Sequence, residues 1–289
     1  MRTVKFAKYQ GLGNSFLITE RHDYLRQGSR LAKLACSKDY GIGADGMMLV
    51  LGNRTEADFD FQMKLYNANG SEAEMSGNGI RCFMHYLINN GLVEGPTARI
   101  LTDAGILDVT ALNAEMLILE HEYLDLMEFR VLMGSATLEK FSLSDEVYSL
   151  VSPYLNSILG IWKVDIGNPH LVIYHQQSEE VNYLELFNQL NRLFHSRINI
   201  EIIKRVDDKE IDMVVYERGV GLTLACGTGS VASAVCYGTL YDVNGTIVVN
   251  NPGGKLKVDF VELAENEYLG YLTGPSQFVA TIEMSPEGI

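Results

Sequence analysis

The sequence is poor in positive charge. It carries 23 lysines and arginines against 37 acidic residues, a formal net charge of −14, with an isoelectric point near 4.8. Such a surface does not attract nucleic acid or anionic membranes through its overall field, although a local anion pocket is untouched by that argument. Long apolar runs are missing as well. No stretch approaches the ~20 residues of a membrane span, and Met1 to Gln10 hold no leader-like apolar run. Cysteine is scarce, with four in 289 residues at positions 36, 82, 226 and 236, which is no disulfide framework in a chain this long. A reduced, cytoplasmic protein is expected. Its composition is ordinary for a globular chain, 47% hydrophobic and 21% charged, and its length allows two domains. Low-complexity segments and floppy linkers are absent too, so the two halves are expected to pack closely.

What the chain does have is glycine beside small nucleophiles. Ala225-Cys226-Gly227-Thr228-Gly229 is echoed by Met75-Ser76-Gly77-Asn78-Gly79. After Ser76, Ile80, Phe83, Met84, Leu87 and Ile88 recur at helical spacing until Gly91, which predicts a helix with a C-terminal glycine. After Cys226, Val231, Ala232, Ala234 and Val235 begin a smaller-residue helix that Gly238 is expected to close. Both Ser76 and Cys226 are therefore placed at helix N-termini, where unpaired N–H groups and the dipole bind anions and favour a thiolate. The echo extends further. Gly13-Asn14 recurs 154 residues later as Gly167-Asn168, Ser76 recurs 150 later as Cys226, and Gly105 recurs 149 later as Gly254. Three landmarks in one order at nearly one offset predict two structural repeats. We expect them to be related by a pseudo-two-fold axis, each bringing a helix start to a shared cleft. Residues 1–128 make the first repeat, joined by a last strand over 277–289, and residues 129–276 make the second.

Alternation predicts strands at Val4–Tyr9, Phe16–Ile18, Met47–Leu51, Phe59–Asn67, Ala98–Leu101 and Ile106–Leu112. Others are expected at Glu115–Leu119, Phe129–Met133, Leu171–Tyr174, Ile198–Ile203, Ile211–Tyr216, Ile247–Val249 and Leu256–Val258. Helices are expected over Tyr24–Ser37, Leu143–Leu159 and Leu184–Phe194. Asn67-Ala68-Asn69-Gly70 is a turn signal.

Several motifs point away from cofactors. Gly41-Ile42-Gly43-Ala44-Asp45-Gly46 has the letters of a dinucleotide fingerprint. It follows a predicted helix and opens a strand, the reverse of the context that chemistry needs. No Walker-type sequence is present. Cys82 and His85 lie three residues apart on the Ser76 helix without a second ligand pair, so they read as core and surface residues rather than a metal site. Lys64 and Lys163 lack the surroundings of a pyridoxal phosphate lysine. His170 reads as a positioning or packing residue. Glu217-Arg218, at a strand end before Cys226, suits an ammonium and a carboxylate as well as it suits a solvated strand end. Asn14, Asn67, Asn168 and Asn199 all fall at strand-to-turn junctions, where asparagine is common. As paired features of two repeats they suggest a polar pocket.

Inverting a carbon requires removing a proton from one face and returning one on the other. Two pseudo-symmetric helix starts suit that task and aim two sets of N–H groups at one carboxylate. A cysteine at such a start, its pKa lowered from about 8.5, serves as base and acid.

At these residues the chain resembles the diaminopimelate epimerase family of cofactor-independent amino-acid racemases and epimerases. The resemblance rests on Gly11-Leu12-Gly13-Asn14, Gly41 to Asp45, Asn67 to Glu72, Gly77 to Cys82, Gly167 to His170, Glu217-Arg218-Gly219, Ala225 to Gly229 and Pro252-Gly253-Gly254. It implies an α+β fold of two pseudo-symmetric domains, each a mostly antiparallel sheet or barrel wrapped around a central helix, with the active site between them. It implies an isomerase of amino-acid and lysine biosynthesis with no metal and no cofactor, acting on a small amino-acid substrate, with no nucleic-acid or membrane partner. A homodimer is left open. Two cysteines act as a thiolate/thiol pair in such enzymes. The amides of Gly77, Asn78, Gly227 and Thr228 would hold the reacting carboxylate. Asn67, Glu217 and Arg218 would meet the head and side chain of the substrate, and Asn14, Asn168 and Asn199 its distal group.

The departures bear on function. Cys226 matches one catalytic position, but Ser76 stands at the other, and a hydroxyl is a far weaker acid than a thiol. Ser76 is compatible with an engineered Cys→Ser change, with natural one-base chemistry or elimination, and with a binding-only protein. Cys82, six residues into the helix, is too far from its N-terminus to substitute. Gly46 stands where the family commonly has Gln, Leu222 where it has Glu, and Ser15 where Asp is frequent. These three suit a racemase retuned to another amino acid such as histidine, whereas the retained Asn67, Asn168, Asn199 and Arg218 favour a substrate with a polar or anionic far end, so LL-/meso-diaminopimelate epimerization with an attenuated or engineered second base is the leading expectation.

Overall fold

A computed structural model describes residues 3–20, 22–52, 58–112, 125–141, 144–153, 158–176, 182–195 and 197–285. The chain divides into two compact units, Met1–Val131 with Thr273–Ile289, and Leu132–Leu272.

In the first unit, β1 (Val4–Gly11) and β2 (Asn14–Thr19) form an antiparallel hairpin. Leu12 and Gly13 both have positive φ, 54° and 82°, the combination a two-residue hairpin turn demands. Strand β2 runs parallel to β3 (Gly46–Leu51), which pairs antiparallel with β4 (Phe61–Asn67). Between β2 and β3 lies α1 (Gly28–Ala35). A short β5 (Glu72–Ala73) folds back on β4 and leads into α2 (Gly77–Asn89). Strand β6 (Thr97–Thr102) lies parallel to β4 and antiparallel to β7 (Gly105–Leu112), which pairs with the start of β8 (Leu126–Lys140). The end of β16 (Glu267–Met284) pairs with β1.

The second unit repeats this order. Strands β9 (Ile158–Asp165) and β10 (Pro169–His175) form the hairpin, and β10 runs parallel to β11 (Asn199–Asp207) after α4 (Tyr183–Leu193). Antiparallel β12 (Glu210–Glu217) and the short β13 (Gly221–Thr223) then lead into α5 (Gly227–Tyr241). Strand β14 (Ile247–Asn251) is parallel to β12 and antiparallel to β15 (Gly254–Ala264). Every parallel and antiparallel step of the first unit recurs in the second, and the predicted α+β repeats are present.

Each unit buries its strands on two faces. On β10, Leu171 and Ile173 join a core with Leu186, Phe187 and Leu190 of α4, while Tyr174, on the opposite face, meets the Tyr237 ring of α5. Burial on both faces explains the continuous apolar run Leu171–Tyr174. The helices α2 and α5 are the unit centres. Residues 77–88 of α2 and 227–238 of α5 are all buried. The expected one-sided stripe on α2 is thus incomplete, because its other face, with Arg81, Cys82, His85 and Tyr86, is enclosed too. His85 is a core residue, bonded to Ser276 at 3.1 Å.

Helix α2 ends as predicted, with Gly91 at φ 63°. Helix α5 does not stop at Gly238. It continues to Tyr241 and is closed by Asp242 at φ 51°. Gly238 instead makes room for Phe260, whose ring would lie 2.3 Å from a Cβ there. The expected helix over 143–159 is confined to α3 (Asp145–Val151), and Leu159 belongs to β9. The strand expected at 115–119 lies outside the described residues. No helix among the described residues is long and apolar enough to cross a membrane.

Candidate active site

Ser76 and Cys226 are N-caps of the two central helices, in nearly the same backbone conformation: φ −140°, ψ 124° and φ −124°, ψ 121°. Each side chain accepts from the amide three residues on, Ser76 Oγ from Gly79 at 3.1 Å and Cys226 Sγ from Gly229 at 3.4 Å. That N3 amide is one of the orphan donors of a helix start. Gly77 and Asn78 begin one helix, Gly227 and Thr228 the other, so their amides belong to the first turns, where an anion is favoured.

In the first unit, Asn78 Nδ2 donates to Asn14 Oδ1 at 3.4 Å, which ties the hairpin tip to the helix start. Asn67 closes β4, donating to Ser71 Oγ at 3.0 Å. Gly46 packs tightly: a Cβ there would lie 2.9 Å from the Tyr66 carbonyl and 3.1 Å from the Phe16 ring.

In the second unit the candidates fall into three hydrogen-bonded groups. His170 is fully buried, its Nδ1 2.7 Å from Glu201 Oε1 and its Nε2 3.1 Å from Asn168 Oδ1. Asn199 donates to the Pro169 carbonyl at 3.2 Å and accepts from the Arg218 amide at 2.9 Å. Glu217 accepts from Thr223 Oγ1 at 2.5 Å and from the Cys226 thiol. The Cys226 sulfur is also 3.4 Å from Thr228 Oγ1. The Arg218 side chain is exposed.

The expected low-pKa thiolate at Cys226 is corrected by this environment. Burial pushes the thiol well above its usual range, and the Glu217 and Glu201 carboxylates push it further the same way. Hydrogen bonds from Thr228 and the Gly229 amide act in the opposite direction and are outweighed. Cys226 is therefore a protonated acid at neutral pH. Burial, and next the Glu201 charge, raises Glu217 itself, while Thr223 and Cys226 pull it down.

Two residues escape the sequence reading. Glu201 is fully buried in β11 against the start of α5, where a Cβ on Gly229 would lie 2.5 Å from its Oε1. Its Oε2 has no partner among the described residues. Arg81 is fully buried beneath the start of α2. Each shows in the sequence as a lone charge within an apolar stretch, but its neighbours are set by the fold.

Residues 6–125 and 162–279 match the family described as diaminopimelate epimerase. The chain belongs to the diaminopimelate epimerase family. It is 34% identical to the diaminopimelate epimerase of Halothermothrix orenii, with 96% of each chain covered. It is 33% identical to that of Methanothermobacter thermautotrophicus, with 89% of this chain and 90% of the relative covered. Among solved structures the fold is similar to a phenazine biosynthesis protein of the PhzF family from Bacillus anthracis. The TM-score is 0.74 at 18% identity, over 99% of this chain and 100% of that one. It is also similar to a hydroxyproline epimerase from Agrobacterium vitis, with TM-score 0.66 at 12% identity over 98% and 91%. Membership of the diaminopimelate epimerase family makes this chain an isomerase of the cofactor-independent epimerase type.

Proposed function

We propose that this protein inverts the α-carbon of diaminopimelate, interconverting the LL and meso forms in the cytoplasm by direct proton transfer. The observation that carries this reading is the pair of like-built N-caps, Ser76 and Cys226, each before a Gly-x-Gly helix start. An amino acid loses its α-hydrogen reluctantly, because the electron pair left on carbon must spread into the carboxylate. Backbone N–H groups of Gly77, Asn78, Gly227 and Thr228 facing that carboxylate lower the cost. Inversion then needs an acceptor on one face and a donor on the other. Cys226, held as a thiol, gives its proton to carbon and is left as thiolate, and the departing α-proton goes to Oγ of residue 76, which must enter the step as an alkoxide, its own proton already lost to water. Asn67, Glu217 and Arg218 meet the head and side chain of the substrate, and Asn14, Asn168 and Asn199 its far end. A serine hydroxyl is a far weaker acid than a thiol, so that alkoxide is rarely populated at neutral pH and turnover is slow.

A second reading, racemization of another amino acid such as histidine, is favoured by Gly46 and Leu222. Packing leaves no room for a side chain at 46, and an exposed apolar residue stands at 222. Binding without turnover is the third.

The test is α-proton exchange in D2O followed by NMR, for the chain and for Ser76→Cys, with both diaminopimelate isomers and both histidine enantiomers. The expected result is exchange with inversion of diaminopimelate, faster in Ser76→Cys by about 10²–10⁴-fold, the worth of one positioned acid–base group. Exchange of histidine alone favours the second reading. Tight binding without exchange in either protein favours the third. Neither binding nor exchange rejects all three.

A further inference from the structure

Among the described residues Arg81 is the largest fully buried side chain, and none of them sets a carboxylate beside its charge. Its three hydrogen bonds go to neutral oxygens. One Nη donates to the Gly77 carbonyl at 2.7 Å, the other to Asn78 Oδ1 at 2.8 Å, and Nε donates to the Pro275 carbonyl at 3.2 Å. Burying a cation without a counter-ion is expensive. Placing it in the first turns of a helix, at the positive end of the dipole, adds to that cost. Gly11 yields space to it, since a Cβ there would lie 3.2 Å from the guanidinium. Packing alone does not account for a charge held this way, because an apolar side chain fills a core at lower cost.

A guanidinium has five donors and no acceptor. The Asn78 atom facing Arg81 must therefore be the carbonyl oxygen, which leaves Asn78 Nδ2 to point at Asn14. The Asn14 atom that faces Nδ2 must in turn be Oδ1, at 3.4 Å. One donor-only group thus fixes the sense of two amides in series, and either amide could otherwise flip. Asn14 is left with its N–H2 directed away from this chain of bonds, without a hydrogen-bond partner among the described residues.

We propose that Arg81 is the positioning residue of the first half of the site: acting through Asn78, it fixes Asn14 as a hydrogen-bond donor, so that position recognises an acceptor group such as a carboxylate oxygen on the substrate. This rests on the proposed function only for the identity of the substrate.

The test has one readout that needs no ligand. Side-chain amide NMR signals of Asn14, Asn78 and Asn67 are compared in the chain, Arg81→Gln and Arg81→Lys, with circular dichroism reporting the fold. Gln both donates and accepts, so it no longer dictates the sense of Asn78. Lys is donor-only but cannot span all three oxygens. The Asn14 and Asn78 signals are expected to move in both variants while Asn67 stays. If Arg81→Gln does not fold, Arg81→Lys carries the comparison. An unmoved Asn14 signal in a folded variant overturns the proposal, whether or not any amino acid binds.

The second readout is calorimetric binding of meso-diaminopimelate. Asn14→Ala and Arg81→Gln are each expected to weaken it about tenfold. The double variant should lose clearly less than the hundredfold product, because the two act in one line. Losses that multiply overturn the relay. Absence of binding by the unmutated chain counts against diaminopimelate as substrate and leaves the decision to the NMR comparison.

Discussion

Cys226 and Ser76 occupy equivalent cap positions, yet their electrostatic surroundings differ in sign. Beneath the first turn of α2 lies the buried cation Arg81, bonded to the Gly77 carbonyl. Around Cys226 lie two carboxylates, Glu217 and Glu201. The first setting favours a deprotonated group at 76, and the second keeps a proton on sulfur. If the carboxylates matter as well as burial, Glu217→Gln lowers the pKa of Cys226. At a fixed pH between 8 and 10 its alkylation by iodoacetamide, mapped by mass spectrometry, is then several-fold faster than in the unmutated chain. An unchanged pH profile would mean that burial alone sets the thiol. The two caps were legible in the sequence because a small nucleophile before Gly-x-Gly is a local pattern. The protonation state of Cys226 was not. The dipole and the amides are local to the helix start, whereas burial, the largest effect, and the carboxylates of Glu201 and Glu217 come with β11 and β12, 25 and nine residues before Cys226. Arg81 was half legible: positions 77 and 78 precede it by four and three residues, the spacing that makes helix neighbours. Pro275, its third partner, is 194 residues away.

At the level of elements, glycine is where local rules and packing disagree. Gly238 reads as a helix stop, but α5 runs through it because Phe260 occupies the space a side chain would take. Replacing an interior glycine by alanine gains about 1 kcal/mol of helix propensity. Overpacking a core costs typically 1–3 kcal/mol, and a Cβ 2.3 Å from the Phe260 ring belongs at the severe end. Gly238→Ala is therefore expected to destabilise by about 1–2 kcal/mol net in urea unfolding. Adding Phe260→Leu to it should recover stability, although Phe260→Leu alone costs some. A stabilising Gly238→Ala would show that the ring moves aside freely. The same contest explains the over-long helix expected at 143–159. Apolar spacing there fits α3, but Ile158 and Leu159 start the hairpin partner of β10, and strand pairing decides. Strands are more legible than helix ends, because alternation and continuous apolar runs record burial directly. The nearly equal offsets of three landmarks, 154, 150 and 149 residues, disclose the repeat without any strand pairing.

For the whole molecule, buried groups that resist ionization set the pH range of stability. Burial pushes the Cys82 thiol up to about 11 and the Cys36 thiol up to about 12, and raises Cys226 and Cys236 as well. In the unfolded chain these thiols ionise near pH 8.5. Above that pH the unfolded state binds fewer protons than the folded one, so stability falls as pH rises. For the fully buried Cys82 the loss approaches roughly 3 kcal/mol by pH 11, at 1.36 kcal/mol for each pH unit passed above 8.5. Arg81, lowered by burial to about 10, works in the opposite direction but only above pH 10, because the unfolded chain then keeps the proton. On the acid side, burial, followed by the Lys204 charge, lowers His175 to about 4. Between pH 6.5 and 4 the unfolded chain binds the extra proton, so stability present above 6.5 is lost as the pH falls, by up to about 3 kcal/mol. Urea midpoints are thus expected to be greatest between about pH 6.5 and 8.5. Cys82→Ser should flatten the decline between pH 8.5 and 10 and leave the acid limb unchanged. His175→Gln should flatten the acid limb and leave the alkaline one. If both variants shift the whole curve without changing either slope, the surface excess of carboxylates governs the pH dependence instead, and raising the salt concentration should then reduce it.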